Sequence, residues 1–379
     1  MNAHEANAKL EAGYRRKRVG HRVVLTVRDD LMCKLMTAEK ERVFGLIGPA
    51  GVGKSAVIER VQAMLLEQYR EAMQQDKGLI PFIHLTSKVG FDGEFNWKDF
   101  LVRGLVAGQE PLIGKKVEHR RMVLDGENIR SSRGLTTPEV SRVFEDMVKD
   151  RKCRFLFCEE ASAMIDEKVS RETVRQFGRL KSLAVASGLV VVMIGAYDLL
   201  GLDRANGQIL RRSQIVHMPR FQVGKVTMPR SEDCEPDEQV FVDYVQALAS
   251  EAPVKIEGDF LDDASYLIYM TVGCFGIFRD WLDRACVLAL VNNNGVLTEQ
   301  IFKSAALPFK KLRTLLSEAV LGEADLQDDS EDQLAKDYAV TSLRAAATKG
   351  PDEKASPKGH QRRVGERGPS RDPVGTAGA

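Results

Sequence analysis

The ten residues Gly48-Pro49-Ala50-Gly51-Val52-Gly53-Lys54-Ser55-Ala56-Val57 constrain this chain more than any other feature. They spell G-x-x-x-x-G-K-S directly after an apolar run, Val43 to Ile47, and so read as a Walker A strand, loop and helix. The chemistry demands these residue types at this spacing. Glycines adopt turns closed to residues with side chains and let backbone N–H groups approach phosphate oxygens, while the following helix aims its positive end at the same anion. Gly48 to Ala56 are therefore the expected nucleotide-binding residues, with Lys54 on the β/γ-phosphates and the Ser55 hydroxyl on Mg²⁺. The cofactors expected from the loop are ATP and Mg²⁺.

A second element is required at the end of another strand, and Phe155-Leu156-Phe157-Cys158-Glu159-Glu160 supplies it. Four apolar residues followed by two carboxylates read as a buried strand delivering acids to the phosphate edge of a sheet. Glu159 is assigned to the metal and Glu160 to the attacking water, which it would orient or deprotonate. Aspartate is the usual residue at the first position, so the extra methylene of Glu159 is a departure that predicts a looser metal shell or slower hydrolysis.

At 379 residues the chain can bury a large core, and it exceeds the usual single-domain size. Its six cysteines lack paired or metal-like spacing, and Cys158 and Cys286 lie inside apolar segments that read as core. A reducing cytoplasm is the expected location, with neither zinc nor disulfides. No segment approaches the roughly 18 to 20 uninterrupted apolar residues of a membrane span, and the polar stretch Met1 to Gly13 does not read as a signal peptide. With 55 basic against 54 acidic side chains, nucleic-acid binding would have to come from local clusters. Two such clusters are Tyr14 to Arg22 and Lys115-Lys116 with His119-Arg120-Arg121.

Periodicity switches between strand-like and helix-like along the chain, as an α/β sheet requires. Strands are expected at Phe44–Ile47, Leu79–Leu85, Phe155–Cys158, Leu189–Ile194 and Gln214–Met218. Helices are expected at Lys54–Gln74, Trp97–Val106, Pro138–Lys149 and Arg171–Ser187. From about Glu235 the strand signal disappears, and helices are expected at Asp237–Ser250, Glu257–Thr271, Phe275–Val291 and Thr298–Ala306. The fold class is thus α/β: a parallel sheet flanked by helices with its ligand at the strands' carboxyl ends, followed by a small all-helical lid. The expected boundaries are a basic arm over 1–22, the P-loop domain over 23–230, the lid over 231–322 and an acidic-then-basic disordered tail over 323–379.

Three further segments narrow the architecture. Leu189 to Leu200 covers a strand and its exit, Gln208 to Phe221 contains Leu210-Arg211-Arg212-Ser213 and His217-Met218-Pro219-Arg220-Phe221, and Gly273-Cys274-Phe275-Gly276 opens a lid helix ahead of Arg279. Together with the Walker elements they resemble the AAA+ superfamily and, within it, the TnsC and TniB group of transposition ATPases, relatives of the phage protein MuB. The resemblance spans roughly residues 20 to 310. It implies an ATPase that assembles as a homo-oligomer, a ring or helical filament, on double-stranded target DNA without sequence preference. Such a regulator links a target-selection protein to a transposase and disassembles on hydrolysis.

The resemblance also implies site residues. Arg279 matches the sensor 2 position, and Arg211 and Arg212 are candidates for the arginine that completes a neighbouring subunit's site. Ala196 stands where a threonine hydroxyl would be expected, which leaves the sensor 1 role to Tyr197 or Asp198 and again predicts slow turnover. DNA phosphates would be met by Lys88, Lys115, Lys116, Arg120 and Arg121, between the second strand and the acid-bearing strand. Trp97 and Phe100 read as core of the intervening helix, not as base-stacking platforms. Two other readings compete: a different DNA-handling AAA+ ATPase, of the replication-loader or partitioning type, and a nucleotide-gated scaffold switch that never touches DNA.

Overall fold

The computed structural model describes residues 3–12, 14–90, 93–111, 113, 122–125, 128–131, 135–164, 171–202, 213–230 and 234–327. Helix α1 (Ala3–Ala12), a single 3₁₀ turn at Tyr14–Arg16 and helix α2 (Arg22–Thr37) precede the alternating region. That region runs β1 (Val43–Ile47), α3 (Lys54–Gln68), α4 (Arg70–Gln75), β2 (Phe82–Thr86), α5 (Trp97–Ala107), β3 (Met122–Asp125), β4 (Asn128–Ser131), α6 (Thr137–Asp150), β5 (Phe155–Glu159), α7 (Arg171–Ser187), β6 (Val190–Gly195) and β7 (Ser213–His217).

Five strands form one parallel sheet in the order β2-β5-β6-β1-β7, and β3 and β4 form a separate antiparallel hairpin. The near-continuous apolar runs of the central strands reflect burial on both faces. Phe44, Leu46, Phe155, Phe157, Val190 and Val192 pack with α2 and α3 on one side. Leu156, Cys158, Val191 and Met193 pack on the other with Phe100, Phe144 and Leu180. Trp97 and Phe100 are buried, as expected, and so are Cys158 and Cys286.

Several expected boundaries shift for identifiable reasons. The second strand begins at Phe82 rather than Leu79, because Pro81 has no N–H to give a ladder; its carbonyl instead accepts from the amides of Arg154 and Phe155. The long helix expected to reach Gln74 is interrupted at Tyr69, whose ring packs edge-on against Phe155. Periodicity does not single out α2, whose N-terminus is capped by His21: Nδ1 accepts from the Val24 amide at 3.4 Å.

The lid comprises α8 (Asp237–Ala249), β8 (Lys255–Glu257), α9 (Ala264–Met270), α10 (Phe275–Asn292), β9 (Val296–Thr298), α11 (Glu299–Ser304) and α12 (Phe309–Asp325). Strand structure therefore persists here: β8 and β9 pair in parallel, Ile256 opposite Leu297, in runs of three residues that are too short to show a period of two. The expected helix over Glu257–Thr271 starts only at Ala264, where the Asp263 carboxylate caps the Tyr266 amide. Trp281 stacks on Phe302 with ring centroids 4.0 Å apart and donates its Nε1–H to the Phe302 carbonyl, anchoring α10 to α11.

Residues 1–326 form one compact unit and 327–379 another; the expected tail lies outside the described residues from 328 onward. Helix α12 continues through Asp325, so Glu323 belongs to the folded unit instead of opening the tail. Among the described residues no helix is long and apolar enough to cross a membrane.

A buried charge ties the N-terminal region to the lid. Asp237 is fully buried, and its carboxylate accepts from Arg22 Nη2 at 2.7 Å, the Thr227 amide at 2.8 Å, the Gln222 amide at 3.0 Å and the Thr227 hydroxyl at 2.5 Å. Asp237→Ala should lower stability by about 3–5 kcal/mol, because it strands the guanidinium and three donors in the interior. Chemical denaturation monitored by tryptophan fluorescence would read the loss, and a change below about 1 kcal/mol would show that the network contributes little.

Candidate functional site

The Walker A loop connects β1 to α3 and is held open by its backbone. Gly51 and Gly53 have φ of 76° and 114°, a region closed to most side-chained residues, and Gly53 caps α3 without any side-chain bond, so the first amides of the helix face the loop's interior. Lys54 folds back over this cradle, its Nζ donating to the carbonyls of Gly48 at 2.7 Å and Pro49 at 2.9 Å. Burial pushes the Lys54 ammonium below its ordinary pKa, and the carboxylates of Glu160, Asp198 and Glu159 oppose that shift.

The strand order sets the acids beside this loop. With β6 inserted between β1 and β5, the end of β5 faces the start of α3. The Ser55 hydroxyl donates to Glu159 Oε1 at 2.5 Å, and His84 Nε2, from the neighbouring edge strand, lies 3.3 Å from Oε2. Since the hydroxyl gives its proton to Glu159, its lone pairs are left for a cation, and a hydroxyl beside a carboxylate is the hard oxygen set that suits Mg²⁺. Glu160 follows in the left-handed region, with φ of 51°, and its side chain is exposed.

A cavity of about 400 Å³ adjoins the loop, lined by Pro49, Ala50, Ala196, Asp198, Ile277 and Glu318 among others. Ala196 is thus beside the loop and carries no hydroxyl. Of the two residues left for the sensor role, Tyr197 has its hydroxyl within 2.9 Å of His217 Nε2, whereas Asp198 is exposed and close enough to Lys54 to influence its charge. Burial lowers the His217 pKa to about 4, so this ring is neutral at pH 7.

The Gly-x-x-Gly opening of the lid meets two other motifs backbone to backbone. The Gly276 amide donates to the Gly51 carbonyl at 2.7 Å, and a Cβ on Gly276 would come within 2.5 Å of that same oxygen. Gly273, at φ of 70°, accepts from the Phe221 amide at 3.0 Å and leaves no room for a side chain against it.

Arg279, the expected sensor 2 residue, has partners within the fold. Its guanidinium donates to the carbonyls of Lys17 at 3.0 Å, Tyr14 at 3.4 Å and Arg15, so it clamps the N-terminal segment. The basic stretch answers in kind: Arg15 forks onto Asp283 at 2.8 Å through both Nε and Nη2, and Lys17 reaches Glu251 at 2.7 Å. Lys88 is exposed just beyond β2. Arg211, Arg212, Lys115, Lys116, Arg120 and Arg121 lie outside the described residues.

Two parts of the site were missed from the sequence. His84 could have been found only by pairing β2 with β5, which puts it on the same sheet face as Glu159 and two residues back from that residue's partner, Thr86. Helix α12 carries a signal in Leu312, Leu315, Ala319 and Gly322, spaced for one helical face, which the following acidic run obscures.

A parallel sheet of this strand order, a glycine-held phosphate loop with a serine–carboxylate pair and an appended helical lid define a P-loop α/β protein. No family profile matches the sequence, and no curated protein matches it. The chain is similar in structure to the ORC2 protein of Aeropyrum pernix, at 12% identity and a TM-score of 0.46, covering 87% of this chain and 81% of that one. It is also similar to Cdc6p of Pyrobaculum aerophilum, at 15% identity, a TM-score of 0.47 and coverage of 76% and 67%. A Walker-type ATPase of Pyrococcus abyssi shows 16% identity, a TM-score of 0.43 and coverage of 86% and 79%. At such identities and scores the loop and strand order, not the likeness, define the class.

Proposed function

We propose that this chain is an AAA+ type ATPase that assembles on double-stranded DNA and serves as a transposition regulator between a target-selection protein and a transposase. The observation that carries the ATPase reading is the meeting of Ser55 and Glu159 beside a glycine-held loop over which the half-buried Lys54 folds. The transposition reading rests on the resemblance of the segments Gln208–Phe221 and Gly273–Arg279 to the TnsC and TniB group. It is supported by the Phe221–Gly273 backbone bond that joins them.

In this mechanism the amides of the loop and Lys54 bind the phosphates, and Ser55 and Glu159 would hold Mg²⁺, which would supply charge neutralisation on the transferring phosphoryl group. Glu160, on its exposed turn, orients the attacking water and takes its proton. Arg211 or Arg212 of a neighbouring copy completes the site. Lys88, together with Lys115, Lys116, Arg120 and Arg121, binds DNA phosphates without reading bases.

ATP-dependent binding to random-sequence duplex DNA should weaken steeply with salt, and Lys88→Ala should lower the slope of log affinity against log salt by about one unit. Fluorescence anisotropy across a salt series measures this. A second reading, a nucleotide-gated switch that never touches DNA, is favoured by the engagement of Arg15, Lys17 and Arg279 within the fold. Absence of DNA binding with ATP at every salt concentration would select it.

A further inference from the structure

Helix α12 has a relation to the nucleotide cavity that the Walker chemistry does not use. Its inward residues Leu312, Ala319 and Gly322 are buried at helical spacing, and the last two are small enough for close approach. At Gly322 the helix backbone presses onto the Tyr197 ring so closely that a Cβ would collide with it. Tyr197 is itself held by His217. One helical turn on either side, Glu318 and Asp325 line the same cavity as Pro49 and Ala50 of the phosphate loop.

A fork fastens the helix there. Glu323 accepts from Arg220 Nε at 2.8 Å and Nη2 at 3.2 Å, and these side chains are only 20% and 13% exposed. A bidentate guanidinium–carboxylate pair of this geometry is among the stronger charged contacts a protein makes. Arg220 comes from the segment that leaves β7, whereas Glu323 lies more than one hundred residues later, so the fork joins the sheet side of the cavity to the chain's last described helix. The acids of α12 also put negative charge at the mouth of a cavity whose expected ligand is a polyphosphate.

We propose that α12 is a latch over the nucleotide cavity, fastened by the Arg220–Glu323 fork, and that opening the fork speeds both uptake and release of nucleotide. The proposal rests on the reading that the loop binds nucleotide. A latch is a kinetic barrier, so it alters both rates in the same proportion and leaves the equilibrium nearly fixed.

The test is stopped-flow binding of a fluorescent N-methylanthraniloyl-ADP to the full chain. Glu323→Gln and Arg220→Gln should each raise association and dissociation rates about ten-fold while Kd changes less than about two-fold. The charge-exchanged double variant, Arg220→Glu with Glu323→Arg, should return both rates towards those of the parent chain. Unchanged rates in both single variants would overturn the latch. So would faster release matched by an equal rise in Kd, which would make the fork a support of the binding site. If a single variant fails to fold, the exchanged pair decides: parental rates uphold the latch, and rates as fast as the other single variant's overturn it. Failure of the parent chain to bind the nucleotide at all would remove the nucleotide reading and the latch together, whereas binding with unaltered variant rates removes the latch alone.

Discussion

Glu160→Gln should bind ATP as tightly as the parent chain and hydrolyse it about 10² to 10⁴ times more slowly, the usual contribution of a positioned general base. The substitution is nearly isosteric. The turn is closed by the Glu160 carbonyl, which accepts from the Ala163 amide, and this main-chain contact is indifferent to the side chain's charge. The side chain is exposed, so exchanging its charge for an amide of the same size disturbs little packing. Phosphate-release assays and nucleotide titration together read the split. Unchanged turnover would move the base role elsewhere and leave Glu160 as a turn residue.

Assembly should matter still more. A trans arginine contributes roughly 10³ to 10⁵ in rate in dissected phosphoryl-transfer systems, so Arg211→Ala or Arg212→Ala should bind ATP normally yet be nearly inactive. Lys54→Ala should fail in the opposite way, since it removes the cation from the loop while leaving the arginines intact. Mixing the two inactive proteins should restore part of the turnover, because each supplies what the other lacks at a shared boundary, and such a head-to-tail contact generates a ring or a filament. No recovery on mixing folded variants would mean that these arginines act within their own subunit or only support the core.

The sheet was legible in the sequence because its strands are apolar runs bounded by turns, and parallel strands covered on both faces announce themselves that way. The phosphate loop and the acid pair were legible because their chemistry tolerates few substitutes. Other features depend on partners far away in the chain. Arg279 reads as a candidate phosphate contact, and only the fold brings the carbonyls of residues more than 260 positions earlier around it. The hairpin of β3 and β4 and the ribbon of β8 and β9 have strands of four and three residues, below the length at which alternation can be told from chance. Glu323 looks like the first residue of a solvated acidic run, and only the fold supplies Arg220 as its partner.

The contact between Gly276 and Gly51 gives the lid a mechanical character. Because main chain meets main chain, no side-chain rotation can absorb a movement of the phosphate loop, and any shift of Gly51 is delivered to the first turn of α10. That helix has 18 residues and so is about 27 Å long. It therefore acts as a lever with its fulcrum at the loop: a tilt of about 5° at the near end carries the far end about 2 Å by the same helical rise. The N-terminal segment, gripped by Arg279 and Asp283 along the lever, travels with it.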